Sequence, residues 1–319
     1  MLTLSKLARL ANVSVSTASK AFSGSTEVNE ETREMIFGIA RQYGCFKKFY
    51  NAKYPKLVIA IIAPELRGAY YTRYLSCIQD NLERENCELC FSTTNFSGEK
   101  EKALVEYYYR HSNVDGIIVI NPQSDLDGHY EIPVVFVNPL CRSAYAFSVE
   151  SDLGPALRES AAYLRKKGVD SVGFIGEALT ERKQQLFERV MRETGIALDE
   201  RLVVVTERRF EEGGYRAMEQ LFSGKHLPRA IVCAYDNMAV GAIRCIFDHG
   251  LRVPEDIAVL GMDDNFEAAY LNPPLASLSS DTGELCRIAA EAILNQSGQA
   301  AAQHVIASSF KLRRSFEIL

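Results

Sequence analysis

The sequence contains no apolar run long enough to cross a membrane. Its longest, from Leu57 to Pro64, has eight residues, whereas a transmembrane helix needs about 20. The first residues also lack the charged and apolar regions of a signal peptide. We therefore expect a cytoplasmic protein without a membrane partner.

Sequence signatures of catalysis and of cofactor binding are missing as well. The chain has no phosphate-binding glycine-rich loop and no nucleophile elbow. The neighbouring carboxylates Asp263 and Asp264 have no evident third ligand or acid partner. We predict no catalytic residues, no metal and no cofactor, and we do not expect an enzyme.

The eight cysteines do not suggest a disulfide framework in a cytoplasmic protein. Cys87 and Cys90 form a C-x-x-C motif, which is compatible with a zinc or redox site. A structural zinc site needs a second ligand pair at matching spacing, and the sequence has none. The alternative, which we favour, is that both cysteines are small apolar residues of a strand.

Residues 3–22 have the pattern of two short helices joined by a tight break. Apolar side chains recur at helical spacing from Leu4 to Ala11. Asn12 suits the left-handed backbone of a sharp turn, and Ser14 is a suitable N-cap for the second helix. That helix would bury Ala18, Ala21 and Phe22, and would expose Val15, Ser16, Thr17, Ser19 and Lys20. A small polar helix with one cation is suited to the DNA major groove.

A third helix completes the predicted helix-turn-helix headpiece. Asn29 can cap it and Gly44 can end it. Its packing stripe is predicted to contain Met35, Ile36, Ile39, Ala40 and Tyr43.

The charge distribution supports DNA binding by this segment. Residues 1–56 contain nine lysines and arginines and four glutamates, a net charge of +5. The whole chain carries −5, so residues 57–319 carry −10. A basic module on an acidic body is typical of a DNA-binding headpiece.

From residue 57 onward, strands alternate with helices. Continuous apolar runs such as Gly116–Ile120 and Val134–Val137 indicate strands buried on both faces. The alternation predicts an α/β class with two doubly wound parallel subdomains. Such sheets bind ligands beyond the carboxyl ends of their strands, so we expect a small-molecule site between the subdomains.

These motifs, in this order and spacing, resemble the LacI/GalR family of bacterial transcription regulators over nearly the whole chain. The matching segments are Thr3–Lys20 with Gly24 and Val28, Glu31–Arg33, Val114–Val119, Ile132–Phe136, Asp236–Gly241, Gly250–Ile257, Gly261–Asp264, Pro274–Leu275 and Arg314–Ser315. The resemblance implies a headpiece, a hinge and a periplasmic-binding-protein-like sensor. It also implies a homodimer that binds palindromic half-sites of double-stranded operator DNA, and the absence of a further heptad helix at the end favours a dimer over a tetramer.

The resemblance and the composition together predict three regions. The predicted bounds are residues 1–46 for the headpiece, 47–56 for the basic hinge, and 57–319 for the sensing and dimerisation domain. Within the last, the N-subdomain covers about 57–148 and 277–304, and the C-subdomain about 149–276 and 305–319. The dimer would associate with the nucleoid when bound to DNA.

The resemblance assigns DNA-facing roles within the first two regions. Val15, Ser16 and Lys20 match residues that face base edges, and a lysine can reach guanine acceptors. Thr3, Thr17, Ser19 and Ser23 are either phosphate-positioning residues or part of a solvated helix face. In the shortened hinge, Lys47, Lys48 and Lys53 would contact phosphates. Tyr54 lies near the family's minor-groove leucine, and it is either a wedge or part of a basic linker.

The resemblance also suggests which residues face the ligand. Tyr70, Tyr71 and Phe210 match aromatic positions, and are either ligand-stacking residues or cleft-lining core. Asn138 and Asp263 match residues that hydrogen-bond the ligand.

Two positions depart from the family pattern. Lys183 stands where relatives have arginine, with Arg182 as a substitute, and Tyr235 stands where they have asparagine. The loss of two hydroxyl-binding groups disfavours a simple hexose as the ligand.

The leading hypothesis is therefore a repressor gated by a sugar or sugar derivative. Alternatives are a regulator sensing a purine or nucleoside, and a ligand-binding protein without operator binding. A sugar-modifying enzyme is disfavoured because the ATP-phosphate loop is missing.

Overall fold

The structure, a computed structural model, describes residues 3–49, 56–112, 114–126, 128, 130, 132–141, 146–224, 226–295 and 302–318. The chain divides into two compact units, Met1–Leu57 and Val58–Leu319. Of the predicted site residues, Lys53 and Tyr54 lie outside the described residues, as do the side chains of Lys47 and Lys48.

The first unit begins with the three predicted helices. They are α1 Leu4–Leu10, α2 Val15–Phe22 and α3 Glu30–Gln42. Asn12 has a left-handed backbone with φ 52° in the break between α1 and α2. The Ser14 hydroxyl accepts the Thr17 N–H at 2.9 Å and so caps α2. Asn29 caps α3 in the same way. Both N-caps and the turn were predicted from the sequence and are confirmed.

The buried face of α3 differs from the predicted stripe. Met35 and Tyr43 are 44% and 52% exposed, whereas Phe37 is 5% exposed. The Phe37 ring lies 5.1 Å from the Phe22 ring of α2. The stripe was wrong at Met35 and Tyr43, because the face that α3 turns toward α2 contains Phe37, whose ring packs against that of Phe22.

A further helical turn, α4, spans Phe46–Phe49. The rings of Phe46 and Phe49 lie 6.0 Å and 5.7 Å from that of Phe22. Aromatic pairs at such distances add about 0.5–1.5 kcal/mol beyond their buried area. The packed core of the headpiece therefore includes Phe49, a residue that the sequence interpretation assigned to the hinge.

The second unit alternates strands and helices. Its first part comprises β1 Leu57–Ala63, α5 Gly68–Arg84, β2 Cys87–Thr93, α6 Gly98–His111, β3 Gly116–Ile120, β4 Val134–Val137 and β5 Phe147–Asp152. Then follow α7 Gly154–Lys166, β6 Val172–Glu177, α8 Glu181–Thr194, β7 Val203–Thr206, α9 Phe210–Phe222, β8 Ala230–Cys233, α10 Asp236–Asp248, β9 Ala258–Gly261 and β10 Ala276–Ser279. The last elements are α11 Thr282–Leu294, β11 Gln303–Ala307 and β12 Ser309–Lys311.

The strands form two six-stranded sheets. The order is β11-β5-β4-β3-β1-β2 in the first sheet and β12-β10-β9-β8-β6-β7 in the second. The pairings of β1, β3, β4, β5 and β11 are parallel. In the second sheet only β12 runs antiparallel to its neighbour. We call the first sheet with α5, α6 and α11 lobe 1, and the second with α7–α10 lobe 2. The predicted fold class is confirmed.

The chain passes between the lobes three times, and each passage contributes a serine to one cluster. The passages follow β5, β10 and β11. The Ser151 hydroxyl lies 2.6 Å from that of Ser280 and 2.7 Å from that of Ser308. The three connecting segments are therefore hydrogen-bonded to one another where the lobes join. That they act as a hinge between separately moving subdomains, with the predicted boundaries, stays a prediction.

Phe37→Ala should destabilise the headpiece by about 3–5 kcal/mol, because it empties a buried ring site. Met35→Ala is the matched control on the same helix, and should change the free energy of unfolding by less than about 0.5 kcal/mol. Chemical unfolding of the full-length protein, followed by circular dichroism, measures both. Equal losses in the two variants would contradict this description of the core.

Candidate functional site

Helix α2 presents a polar face on the headpiece. Val15 is 46% exposed, and Ser16 and Ser19 are also exposed. Thr17 and Lys20 are half-buried. The opposite side of α2 packs in the core through Ala18, Ala21 and Phe22, as predicted. The helix can therefore approach a groove without exposing apolar core.

Several residues of this face also make contacts within the headpiece. The Thr17 hydroxyl lies 2.8 Å from that of Ser14, and the Ser23 hydroxyl donates to the Lys20 carbonyl at 3.2 Å. Lys20 forms an ion pair with Glu27, and the two side chains are 43% and 67% exposed. Since an exposed pair contributes only about 0–1 kcal/mol, the ammonium can exchange Glu27 for another acceptor.

Two further side chains fix the ends and the loop of the headpiece. The Thr3 hydroxyl accepts the Lys6 N–H at 3.3 Å and caps α1. Arg33 donates to the carbonyls of Ser25 and Val28 at 2.7 Å and 3.1 Å. Arg33 thereby holds the connection between α2 and α3. Arg33 belongs to a matching motif in the sequence, but its role depends on contacts that the sequence does not reveal.

A cavity of about 370 Å³ lies between the lobes, beyond the carboxyl ends of their strands. This is the position expected of a ligand site in open α/β sheets. Seven of the eight predicted ligand residues line it, namely Tyr70, Tyr71, Arg182, Lys183, Phe210, Tyr235 and Asp263. Asn138, the eighth, is not among the described residues that line the cavity.

Aromatic rings form one wall of the cavity. The Tyr70 and Tyr71 rings lie 5.1 Å apart, edge to face, and Phe96 extends the group at 6.3 Å from Tyr71. Burial, followed by the charge of Asp263, raises the pKa of Tyr70 to about 12. The Tyr70 hydroxyl therefore stays protonated and can donate a hydrogen bond at neutral pH.

Asn138 supports this wall from behind. Its amide nitrogen donates to the hydroxyls of Tyr70 and Tyr74 at 3.0 Å and 2.8 Å, and its oxygen accepts the Ser151 N–H at 2.9 Å. The amide is therefore engaged with protein groups instead of facing the cavity. It connects Tyr70 to one of the three serines at the passages between the lobes.

Lys183 and Asp263 form a pair at the floor of the cavity. The Lys183 ammonium donates to the Asp263 carboxylate at 3.1 Å and to the Ala234 carbonyl at 2.7 Å. The Asp263 side chain is 4% exposed. Because each charge compensates the other, the pair presents no bare charge to a ligand.

Asp236 holds the loop that carries Asp263. Its carboxylate accepts the Ser277 hydroxyl at 2.6 Å and the N–H groups of Asn265 and Asp263 at 2.8 Å and 3.2 Å. Burial, followed by the charge of Asp263, raises the pKa of Asp236 to about 6. Asp236 was recognised as a motif residue, but its supporting role depends on contacts that the sequence does not reveal.

Tyr235, which departs from the family pattern, and Arg182, the predicted substitute for the family arginine, also make defined contacts. The Tyr235 hydroxyl accepts the Phe210 N–H and donates to the Glu177 carboxylate, both at 2.9 Å. Arg182, in lobe 2, donates to the Leu140 carbonyl of lobe 1. Tyr235 thus braces the cavity wall, and Arg182 links the lobes.

Five charged residues of the cavity were not predicted, and three of them, Arg209, Glu65 and Glu177, are paired with one another. Arg209 donates to both oxygens of Glu65, at 2.8 Å and 3.0 Å, and to Glu177 at 3.1 Å. These contacts, with Glu65 first, raise the pKa of Arg209. No motif marks the three residues, since Glu65 is 144 positions from Arg209 in the chain.

Within the described residues, no group of three potential ligands is placed to hold a metal, and no helix is long and apolar enough to cross a membrane. Cys87 and Cys90 lie on β2, as favoured from the sequence. Burial raises the pKa of both thiols, which disfavours the thiolates that a metal or redox site needs.

The titration of Asp236 should contribute a decrease in the free energy of unfolding as the pH rises from about 4 to about 6. Its pKa is higher in the folded state than the ordinary 3.8, so within this window the folded protein binds more protons than the unfolded chain. Urea unfolding across the window measures the slope. Asp236→Asn should reduce it, while Asp248→Asn, at an outer helix position, should not. An unchanged slope in Asp236→Asn would contradict the assignment.

Comparison with known proteins identifies two matched families along the chain. The model of bacterial regulatory proteins of the lacI family matches residues 3–44, and that of the periplasmic binding protein-like domain matches residues 161–316. The ribose operon repressor of Haemophilus influenzae is 26% identical over 309 residues, covering 93% of this chain and 92% of the relative. The transcriptional repressor PurR of Klebsiella pneumoniae is 26% identical over 312 residues, covering 93% and 90%.

Solved structures show the same fold. The lac repressor dimer bound to operator and an anti-inducer has a TM-score of 0.72 at 20% identity, covering 99% of both chains. The complex of the regulator CelR with cellobiose has a TM-score of 0.68 at 22% identity, covering 99% of this chain and all of that one. The chain thus combines a headpiece of the lacI family of bacterial regulatory proteins with a periplasmic binding protein-like domain, and its full-length relatives are named as transcriptional repressors and regulators.

Proposed function

We propose that this LacI-family regulator represses transcription as a homodimer on palindromic operator DNA, and that a small molecule in the cavity between the lobes changes its operator affinity. The observation that carries the proposal is the exposed polar face of α2 on a headpiece that matches the family model. Relatives along the full length are named as repressors and regulators. Action on operator DNA would place the protein at the nucleoid.

The positions of the side chains on α2 support the proposed DNA-facing roles. Val15, Ser16 and Lys20 project from the first two turns of α2, where base edges lie within reach of a recognition helix. Ser19 extends the same exposed face. Thr3, Thr17 and Ser23 already serve the headpiece as caps or turn contacts, so any phosphate contact would be additional to these. The hinge lysines would add sequence-independent affinity.

The cavity favours an uncharged, polyhydroxylated ligand. Its charged lining residues comprise four acids and four bases, Glu65, Glu177, Glu181, Asp263, Arg67, Arg182, Lys183 and Arg209. Because the two sets balance, a net charge on the ligand would be uncompensated in the cavity. Aromatic rings beside paired polar groups suit the apolar faces and the hydroxyls of a sugar. The solved complex of a relative with cellobiose supports the same class.

Lys20→Ala should weaken binding to the operator by about 1–3 kcal/mol and binding to random DNA by much less, because a base contact is lost instead of a phosphate contact. Fluorescence anisotropy at fixed salt measures both affinities. Glu27→Gln is the control, since it releases Lys20 from its partner but keeps the cation. Equal losses on the two DNAs would rule out base reading by Lys20.

A ligand from the proposed class should raise the Tm of the full-length protein, by an amount that grows as RT ln(1 + [L]/Kd). The panel should contain neutral sugars, sugar phosphates, uronic acids, nucleosides and purines. Asp263→Asn and Tyr70→Phe should reduce the shift, whereas Tyr43→Phe, on the headpiece surface, should not. A shift confined to purines or to charged sugars would contradict the uncharged-sugar assignment.

A further inference from the structure

Arg209 joins the two lobes across the cavity. It lies directly before α9 in lobe 2, whereas Glu65 lies between β1 and α5 in lobe 1. The guanidinium donates two parallel hydrogen bonds to Glu65, at 2.8 Å and 3.0 Å, and a third to Glu177 of lobe 2 at 3.1 Å. A bidentate pair of this geometry is among the strongest and most directional of side-chain contacts.

The bridge is largely shielded from water. The side chains of Glu65 and Glu177 are 10% and 6% exposed, and that of Arg209 is 30% exposed. The guanidinium also lies 5.1 Å from the Phe96 ring of lobe 1 and 4.7 Å from the Phe210 ring of lobe 2. Aromatic rings of both lobes therefore hold the same cation.

The other contacts between the lobes are weaker in kind. Arg73 donates to the backbone carbonyl of Asp264 at 2.7 Å, and Arg182 donates to the Leu140 carbonyl. Both acceptors are uncharged. Within the described residues, the Arg209 bridge is the one in which a side-chain cation of one lobe meets a carboxylate of the other.

Separation of the lobes would break the Glu65 half of the bridge, while Glu177 would stay with Arg209. Glu65 would then need water or a ligand to compensate its charge. Since an interaction present in only one of two conformations shifts their populations, this bridge favours the closed arrangement.

We propose that Arg209 is the positioning residue that holds the two lobes together in the closed arrangement. Effector affinity in the cavity then depends on this bridge between the lobes as well as on the contacts that the ligand itself makes. The bridge lies within the sensor domain alone, and its effect on the lobes does not require operator binding.

The test is a distance between spin labels on the two lobes of the full-length, ligand-free protein. Exposed Lys102 on α6 and Arg189 on α8 are suitable sites. Labels attached through a genetically encoded ketone amino acid leave the eight cysteines unmodified. Dilution of the labelled protein with an excess of unlabelled protein ensures that the measured distances join two labels of the same chain.

The wild-type protein should give a single short distance. Arg209→Gln and Glu65→Gln should both add a longer, open population, and the double variant should resemble the single ones, because either change removes the same bridge. Arg209→Lys keeps the charge but loses the fork, and should give an intermediate distribution. Arg208→Gln is the matched control. The neighbouring Arg208 side chain is exposed and forms its ion pair with Glu212 of α9, within the same lobe.

A wild-type-like distribution in both Arg209→Gln and Glu65→Gln would overturn the proposal. Thermal unfolding identifies a variant that fails to fold, and in that case the other single variant decides the outcome. Operator binding, measured separately, distinguishes failure of this inference from failure of the proposed function.

Discussion

The three passages of the chain between the lobes constrain everything that the sensor domain does. The hydroxyls of Ser151, Ser280 and Ser308 form a cluster there. From this junction the lobes extend around a cavity of about 370 Å³, to which both contribute charged and aromatic residues. Any change in lobe separation must be accommodated at these three segments.

Local features of the fold could be predicted from the sequence, because they depend on neighbouring residues. Ser14 and Asn29 cap helices, and Asn12 takes a left-handed turn, as their side-chain chemistry predicts. The face of α3 was misjudged because both Met35 and Phe37 are apolar and adjacent to the stripe. Only the position of Phe22 on another helix determines which of the two is buried.

The position of the cavity could be predicted from the sequence, but the hydrogen bonds and ion pairs among its side chains could not. Motif matches identified Tyr70 and Asp263, yet the pattern could not show that Asn138 supports Tyr70 from behind, or that Lys183 compensates Asp263. Arg209 and Glu65 were missed altogether, since their pairing depends on the approach of two lobes.

The proposed function requires sequence-specific DNA binding by a symmetric dimer. Selection of duplexes from a random pool by the full-length protein tests this most directly. A palindromic sequence should be enriched. Its half-sites should lie about one helical turn apart, so that each accepts one recognition helix of the dimer. Absence of any enriched sequence, or enrichment of an isolated half-site only, would contradict the proposed function.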